Sequence, residues 1–324
     1  MSPVLNGQRS IFSQEVYRTS LEPKYQIIAR DELHEDEFSR DAALAKMREF
    51  IAKHPQIKNC RMDSVFLLRF LRNRKFNVQA ACDAVVRYLT IIAHSPEYFD
   101  IDPHHSEQLI KERLVVPLGE DAYGRLVLLI RYGQFNAQQH TPEQQISLIS
   151  LAIETYFDHE QYHVTGLVYV IDYFGLSMAH IGAITLPKFR VIKATNGEMK
   201  MIRVKKVHVL RVPSVGAKLA ELWISIMPRK LQQRFKFHKT LDTLKDDIDP
   251  EVLPTIYGGK QSLEEANEKF HKLALSQRDR FLKQAEMYID LSIPAPNAKN
   301  ANAALQSSVA DESVIGSFRK LNVD

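Results

Sequence analysis

The 324 residues carry 43 Lys and Arg against 39 Asp and Glu, a net charge of +4, with 45% hydrophobic and 25% charged residues. That composition excludes a fibrous or low-complexity chain and suits one large core with a smaller unit appended. The two cysteines, Cys60 and Cys82, sit in no CxxC or Cys/His cluster, which argues against a disulfide framework or structural zinc and for a reducing compartment such as the cytosol.

In chain order, the first thirty residues are mixed and polar, contain no apolar run of leader length, and are expected to be flexible. From about 36 to 95 the apolar residues recur at helical spacing: Ala43, Met47, Phe50 and Ile51, then Phe66, Leu67, Phe70 and Leu71, then Ala81, Val85, Tyr88 and Leu89. Glycine is absent there, and the stretch reads as a small helical domain. Leu114–Leu118 and Leu126–Ile130 read as strands around a turn at Asp121–Arg125. A helix is predicted over 142–162, with Pro142 just inside its start. Leu167–Ile171 is a strand with few polar positions, as expected when both faces are covered. A helix over 187–196 and a strand over 205–210 follow. The alternation points to an α/β fold with a mostly parallel sheet behind a small all-helical N-terminal domain. Residues 262–289 are again helical, and the Ala-, Asn- and Ser-rich tail after Pro294 is expected to be disordered. No stretch approaches the eighteen or so apolar residues of a spanning helix.

One catalytic motif stands out. His159-Glu160-Gln161-Tyr162-His163 matches H-E-x-x-H, in which two His four apart on a helix hold zinc and the Glu acts as base. The third ligand of the longer version of that signature would fall on Tyr169, inside the apolar strand, where no zinc-bound water has access. The favoured reading is a solvated helix C-terminus, comfortable for histidine. A zinc hydrolase built on His159, Glu160 and His163 is the alternative. There is no nucleophile elbow, Walker loop or dinucleotide fingerprint. The chain is expected to be neither an enzyme nor a carrier of a cofactor or metal.

Charge is unevenly spread. Between Lys188 and Lys239 stand fourteen Lys and Arg and only two acids, a local charge of +12, so the remainder is net acidic. Such asymmetry suggests an anionic partner. Inside this window Leu219, Leu222, Trp223, Ile226 and Met227 form one apolar stripe on a helix predicted over 214–227. A core-facing helix and a lid that covers a lipid and presses into a membrane are both open readings of that stripe. Arg203 and Lys205 alternate on a strand before it, and Lys230 and Arg234 share a helical face after it. Together they suit a phosphorylated headgroup better than a nucleic acid, because the patch has an apolar stripe at its centre and no nucleic-acid-binding signature.

Four segments carry a resemblance. Asp63–Val78 resembles the helix that opens CRAL-TRIO (Sec14-like) proteins. Asp121–Arg125 resembles the D-x-x-G-R turn before their first long strand, Leu167–Asp172 their central strand, and Leu253–Gly259 their closing LPxxYGG. They occur in family order and are most similar to the tocopherol-transfer, retinaldehyde-binding and clavesin branch. The resemblance implies a flexible segment over 1–30, a helical domain over 31–100, a lipid-binding domain over 101–262 with a mobile gate helix, a C-terminal helix over 263–290 and a disordered tail over 291–324. It implies an apolar pocket formed by Ile146, Ser150 and Ile153 on one helix and Leu167 and Ile171 on the central strand. Ile192 and Thr195 on the next helix, with Ile202 and Val207 at the following strand, would complete it. Arg203, Lys205, Lys230 and Arg234 would bind phosphatidylinositol bisphosphate. The expected protein is a monomeric, cytoplasmic lipid carrier that visits membranes reversibly and holds a tocopherol-like or retinoid-like ligand.

Overall fold

The computed structural model describes residues 17–185, 187–188, 191–192, 201–225 and 229–295. The helical domain is built from capped helices. In α1 (Pro23–Leu33), proline stands in the first turn, where its missing N–H costs nothing. Asp36 accepts from Phe38 and Ser39 N–H to start α2 (Glu37–Lys53), Asp63 from Phe66 N–H to start α3 (Ser64–Asn73), and Asn77 from Ala80 N–H to start α4 (Val78–His94). The apolar spacing read from the sequence is buried: Phe66 and Phe70 meet edge-on at 5.2 Å, and Phe70 meets Tyr88 at 5.7 Å. Residues 23–30 are therefore helical rather than flexible. Tyr25, Ala29 and Leu33 bury one face of α1 in a cluster that includes Val164.

After the short α5 (Glu107–Lys111), five strands form one sheet in the order β2-β3-β4-β5-β6, where β1 is the short Ile57–Asn59. They are β2 (Val115–Glu120), β3 (Leu126–Ile130), β4 (Leu167–Asp172), β5 (Val204–Leu210) and β6 (Phe235–His238). The β2–β3 pair is antiparallel around the Asp121–Arg125 turn, where the Asp121 carboxylate accepts from Tyr123 and Arg125 N–H. All other pairs are parallel, as the α/β alternation predicts. Strand periodicity divides the sheet. Leu128, Ile130, Tyr169, Val207 and Val209 face α6 (Pro142–Tyr156), whose start is fixed by a capping box between Thr141 and Gln144. Val127, Leu129, Val168 and Val170 face the opposite side, covered by Leu244, Ile248, Leu253 and Tyr257. Leu244 belongs to α11 (Leu241–Lys245). The remaining helices before it are α7 (Glu160–Thr165), α8 (Met178–Gly182), α9 (Ser214–Ser225) and α10 (Arg229–Gln232).

Two expectations are corrected. The helix over 142–162 is two helices, α6 and α7, broken at 157–159. The break lets Asp158 turn back to accept from Arg69 and Arg61. The segment 263–290 is not one helix: α12 (Leu263–Ser276) and α13 (Arg278–Ala285) are followed by β7 (Tyr288–Ile289). β7 pairs antiparallel with β1, tying the C-terminal segment to the N-terminal helices. Residues 296–324, most of the expected tail, lie outside the described residues. Of the helix expected over 187–196, only 187–188 and 191–192 are described, and these are helical. No described helix is long and apolar enough to cross a membrane.

Candidate functional site

Between the front of the sheet, α6 and α9 lies a cavity of about 190 Å³. Its floor is the sheet: Tyr169 and Ile171 from β4, Val207 and Val209 from β5, Phe235 and Phe237 from β6. Alternation along each strand places those side chains on one face. One wall is α6, through Ile146, Ile149 and Ser150, and the opposite wall is α9, through Gly216, Ala220 and Ile224. The few polar neighbours include Tyr132 and Tyr173, whose rings are 5.4 Å apart. Burial pushes the Tyr173 phenol up to about 12 and raises Tyr132 as well, so both stay neutral. A cavity of this make-up takes an apolar molecule with one small polar group.

Of the nine pocket residues named from the sequence, Ile146, Ser150, Ile171, Ile192 and Val207 line this cavity. Ile153 and Ile202 instead line a second space of about 70 Å³, which shares Phe99 and Ser150 with the first and reaches towards Phe66, Phe70 and Tyr88. Leu167 is buried in the core at the start of β4 and lines neither space. It sits on the same face as Ile171 but two residue pairs nearer the strand's beginning. Thr195 lies outside the described residues.

The gate stripe has a comparable outcome. Leu219, Leu222 and Trp223 are on α9, though only their backbone is described; Ile226 and Met227 lie outside the described residues. The row that lines the cavity is Gly216, Ala220 and Ile224, spaced by four. Sequence reasoning missed it because glycine and alanine carry little hydrophobic weight. Their smallness is what the packing needs: a Cβ on Gly216 would lie 2.7 Å from Leu176 Cδ2.

At the edge where the parallel strands begin, basic residues gather. Arg203 Nη2 is 2.6 Å from Glu32 Oε2 and its Nη1 donates to Val164 O. Lys205 Nζ is 3.5 Å from the same Glu32 oxygen. Arg234 donates to Val204 O. Burial, then the Arg203 charge, hold Lys205 and Arg234 below their usual values. Gly166, with φ +89°, lets β4 start against this cluster, since a Cβ there would collide with Arg203 O. Lys230 is exposed on α10. The carboxylate of Glu32 on α1 is thus an anion within the chain for two of the four predicted basic residues, a partner more than 170 residues away that local pattern does not reveal.

The H-E-x-x-H pentad is neither a zinc site nor a solvated helix end. His159 is the N-cap of α7 and not within a helix. Glu160 and His163 are buried. Glu160 Oε2 is 2.8 Å from Arg72 Nη1, and its carboxylate also accepts from Tyr17 and Ser20. His163 Nε2 donates to Phe157 O at 2.6 Å, leaving Nδ1 to accept from Arg72 Nη1 at 3.3 Å. A guanidinium beside that nitrogen is incompatible with a bound cation. Arg72, fully buried, also pairs with Glu35 at 2.7 Å. The motif is therefore one half of a bolt that fastens the helical domain to the sheet. Burial pushes the Cys60 thiol up to about 12 and Cys82 to about 11, so neither is a nucleophile at neutral pH.

With this geometry in view, comparison with known proteins is informative. Residues 110–259 match the family model described as CRAL/TRIO domain. The human protein named alpha-tocopherol transfer protein-like is 28% identical over 262 residues, 79% of this chain and 75% of that protein. Human clavesin-2 is 25% identical over 248 residues, 75% of this chain and 76% of that protein. The solved structure of Sfh5 aligns with a TM-score of 0.49 at 13% identity, over 76% of this chain and 99% of that one. Residues 110–259 contain the five-stranded sheet, the cavity floor, α6 and α9. Over residues 110–259 the chain thus matches the CRAL/TRIO domain, and over about three quarters of its length it is similar to the tocopherol-transfer-protein-like proteins and the clavesins.

Proposed function

We propose that this protein carries a tocopherol-like or retinoid-like lipid in the cavity between the sheet and α9. It exchanges that lipid at membranes bearing phosphatidylinositol bisphosphate, which it meets through Arg203, Lys205, Lys230 and Arg234. The observation that carries the reading is the apolar cavity of about 190 Å³ walled by one helix of small residues. In water α9 stays closed, because opening exposes apolar surface at about 25 cal/mol per Å². Against a bilayer that surface enters lipid and opening becomes easier. The same reading makes the protein a non-enzymatic, monomeric visitor of cytoplasmic membrane faces, with the domain limits at 31–100 and 101–262.

Native mass spectrometry of freshly purified protein tests the carrier reading. A bound small molecule released by organic solvent is expected; a bare chain that also fails to load with tocopherol, retinaldehyde or other terpenoid lipids would count against it. Ala220→Phe places a ring where the cavity has a methyl. Displacing two or three methylenes of ligand should weaken binding by about 2 kcal/mol, roughly thirtyfold, in a fluorescent-lipid titration.

The basic edge has its own test. Lys230→Glu alters an exposed side chain with no part in the cavity wall. It should lower binding to vesicles containing phosphatidylinositol bisphosphate by roughly tenfold, with ligand affinity unchanged. Glu32→Gln should act the other way, because Arg203 and Lys205 lose their internal carboxylate. Equal loss of vesicle binding and ligand binding in Lys230→Glu would refute separate sites.

A further inference from the structure

The face of the sheet away from the cavity carries a second cluster. Because Val207, Val209, Phe235 and Phe237 face the cavity, His208 and His238 turn to the other side of the same strands. The chain following α11 brings Asp247 beside them. His208 Nδ1 is 2.9 Å from His238 Nε2, and Asp247 Oδ2 is 3.9 Å from the first and 3.7 Å from the second. The three atoms lie within 4.8 Å of one another. Both histidines are buried. Asp247 Oδ2 is buried as well and accepts no hydrogen bond of acceptable geometry; its contact is an ion pair with Lys236 Nζ at 2.5 Å. Lys206 Nζ stands 3.6 Å from Oδ1.

The hydrogen bonds around His238 fix its tautomer. Thr243 Oγ1 donates to Thr240 O, so it faces His238 Nδ1, 3.0 Å away, as an acceptor. His238 Nδ1 therefore carries the proton, and Nε2 presents its lone pair to the cluster. This is the outer-sphere arrangement that orients metal-binding imidazoles. His208 Nδ1 donates to that lone pair; moving its proton to Nε2 frees a second nitrogen with no change of charge.

We propose that His208, His238 and Asp247 form a binding site for a divalent transition-metal ion, zinc being the ion tested. Two imidazole nitrogens and one carboxylate oxygen match the donor set and leave a fourth position for water. Tetrahedral zinc with bonds of roughly 2.0–2.1 Å places its donors about 3.3 Å apart, so the pair of rings opens slightly and Asp247 moves in. Lys236, half-exposed, swings into water as the ion takes its place. The sequence gives no hint of this site, because its members are thirty and nine residues apart. It lies directly behind the cavity floor: each histidine alternates with a cavity-lining residue, so the ion would stiffen β5 and β6 from behind.

The test uses the full chain, stripped with chelator and titrated with Zn²⁺ by calorimetry. One equivalent is expected. Co²⁺ should give the d–d absorption of a four-coordinate nitrogen and oxygen site without a thiolate charge-transfer band. Lys236→Met removes the nearer of the two competing cations, Lys206 being the other, and should tighten zinc binding by about tenfold. His238→Gln should weaken it by about a hundredfold. A structural histidine pair without metal affinity predicts neither the stoichiometry nor the Lys236→Met effect. The proposal is overturned if zinc does not bind at one equivalent, or if it binds alike to wild type, Lys236→Met and His238→Gln. Should His238→Gln fail to fold, the exposed Lys236→Met variant and the cobalt spectrum still decide.

Discussion

Replacing Arg72 by methionine is expected to destabilise the protein by about 3–5 kcal/mol, measured by urea unfolding at pH 7. The guanidinium has three anchors in two parts of the chain: Glu35 between α1 and α2, and on α7 both Glu160 and the lone pair of His163. Arg72 and Glu160 are both buried. Methionine fills similar volume, so the loss does not come from a cavity. It comes from leaving Glu160 in a low-dielectric interior without its counter-charge, and Glu35 with only the longer contact to Arg40 at 3.8 Å. A loss below about 1 kcal/mol, the range of exposed pairs, would mean that the Arg72 pairs add little to the join between the helical domain and the sheet. The same variant should also uncouple the domains, so α1 and α2 should exchange their amide protons faster than α6 does.

Stability should fall as the pH drops below about 6.5, and His163 supplies one step of the fall. Its pKa is held well below the usual histidine value, first by burial and then by the Arg72 and Arg69 charges. The unfolded chain takes up the proton near pH 6.5 while the native ring cannot, since Nδ1 faces a guanidinium. Below that pH the unfolded state binds more protons, and each pH unit removes up to about 1.4 kcal/mol. The contribution is fully present above 6.5 and is lost on acidification towards the native pKa. His54, His208 and His238 are lowered too and add to the slope, so the diagnostic is a difference. In His163→Gln the amide donates to Phe157 O and accepts from Arg72, and the slope between pH 6.5 and 5 should drop by about one proton. An unchanged slope would show that the native ring protonates in place.

A second fall is expected near pH 4. Burial by itself would raise the Asp158 carboxyl, but Arg69, Arg61 and Arg280 together hold it far below the usual range. Burial opposes Glu160 in the same way, and Arg72, Tyr17 and Ser20 overcome it. Both depressed carboxylates contribute stability above their unfolded values, about 3.9 and 4.3, and lose it as the pH falls towards their native values. The two steps should separate in a pH titration of unfolding free energy.

The sequence by itself determined the fold class, the strands β2 to β5 and the helices α2 to α4. Those depend on local periodicity: near-complete burial along 167–172, where only Ile171 is half-buried, and helical spacing over 36–95. Five of the nine pocket residues that the family resemblance implied line the cavity, and of these only Ile171 and Val207 stand on strands. The tertiary structure alone decided where charge goes. Arg69 and Arg72 stand between the apolar positions of α3, and both are buried against acids more than eighty residues away in sequence. H-E-x-x-H reads as a metal motif on one helix, yet Asp158 turns the chain and makes Glu160 a counter-ion. Glu32 neutralises a basic edge one domain away, and two histidines on neighbouring strands meet across thirty residues. Hydrophobic burial repeats with the local period of the backbone, so it is written along the chain. The buried ion pairs form where packing has excluded water, and their partners are chosen by which surfaces the fold brings together.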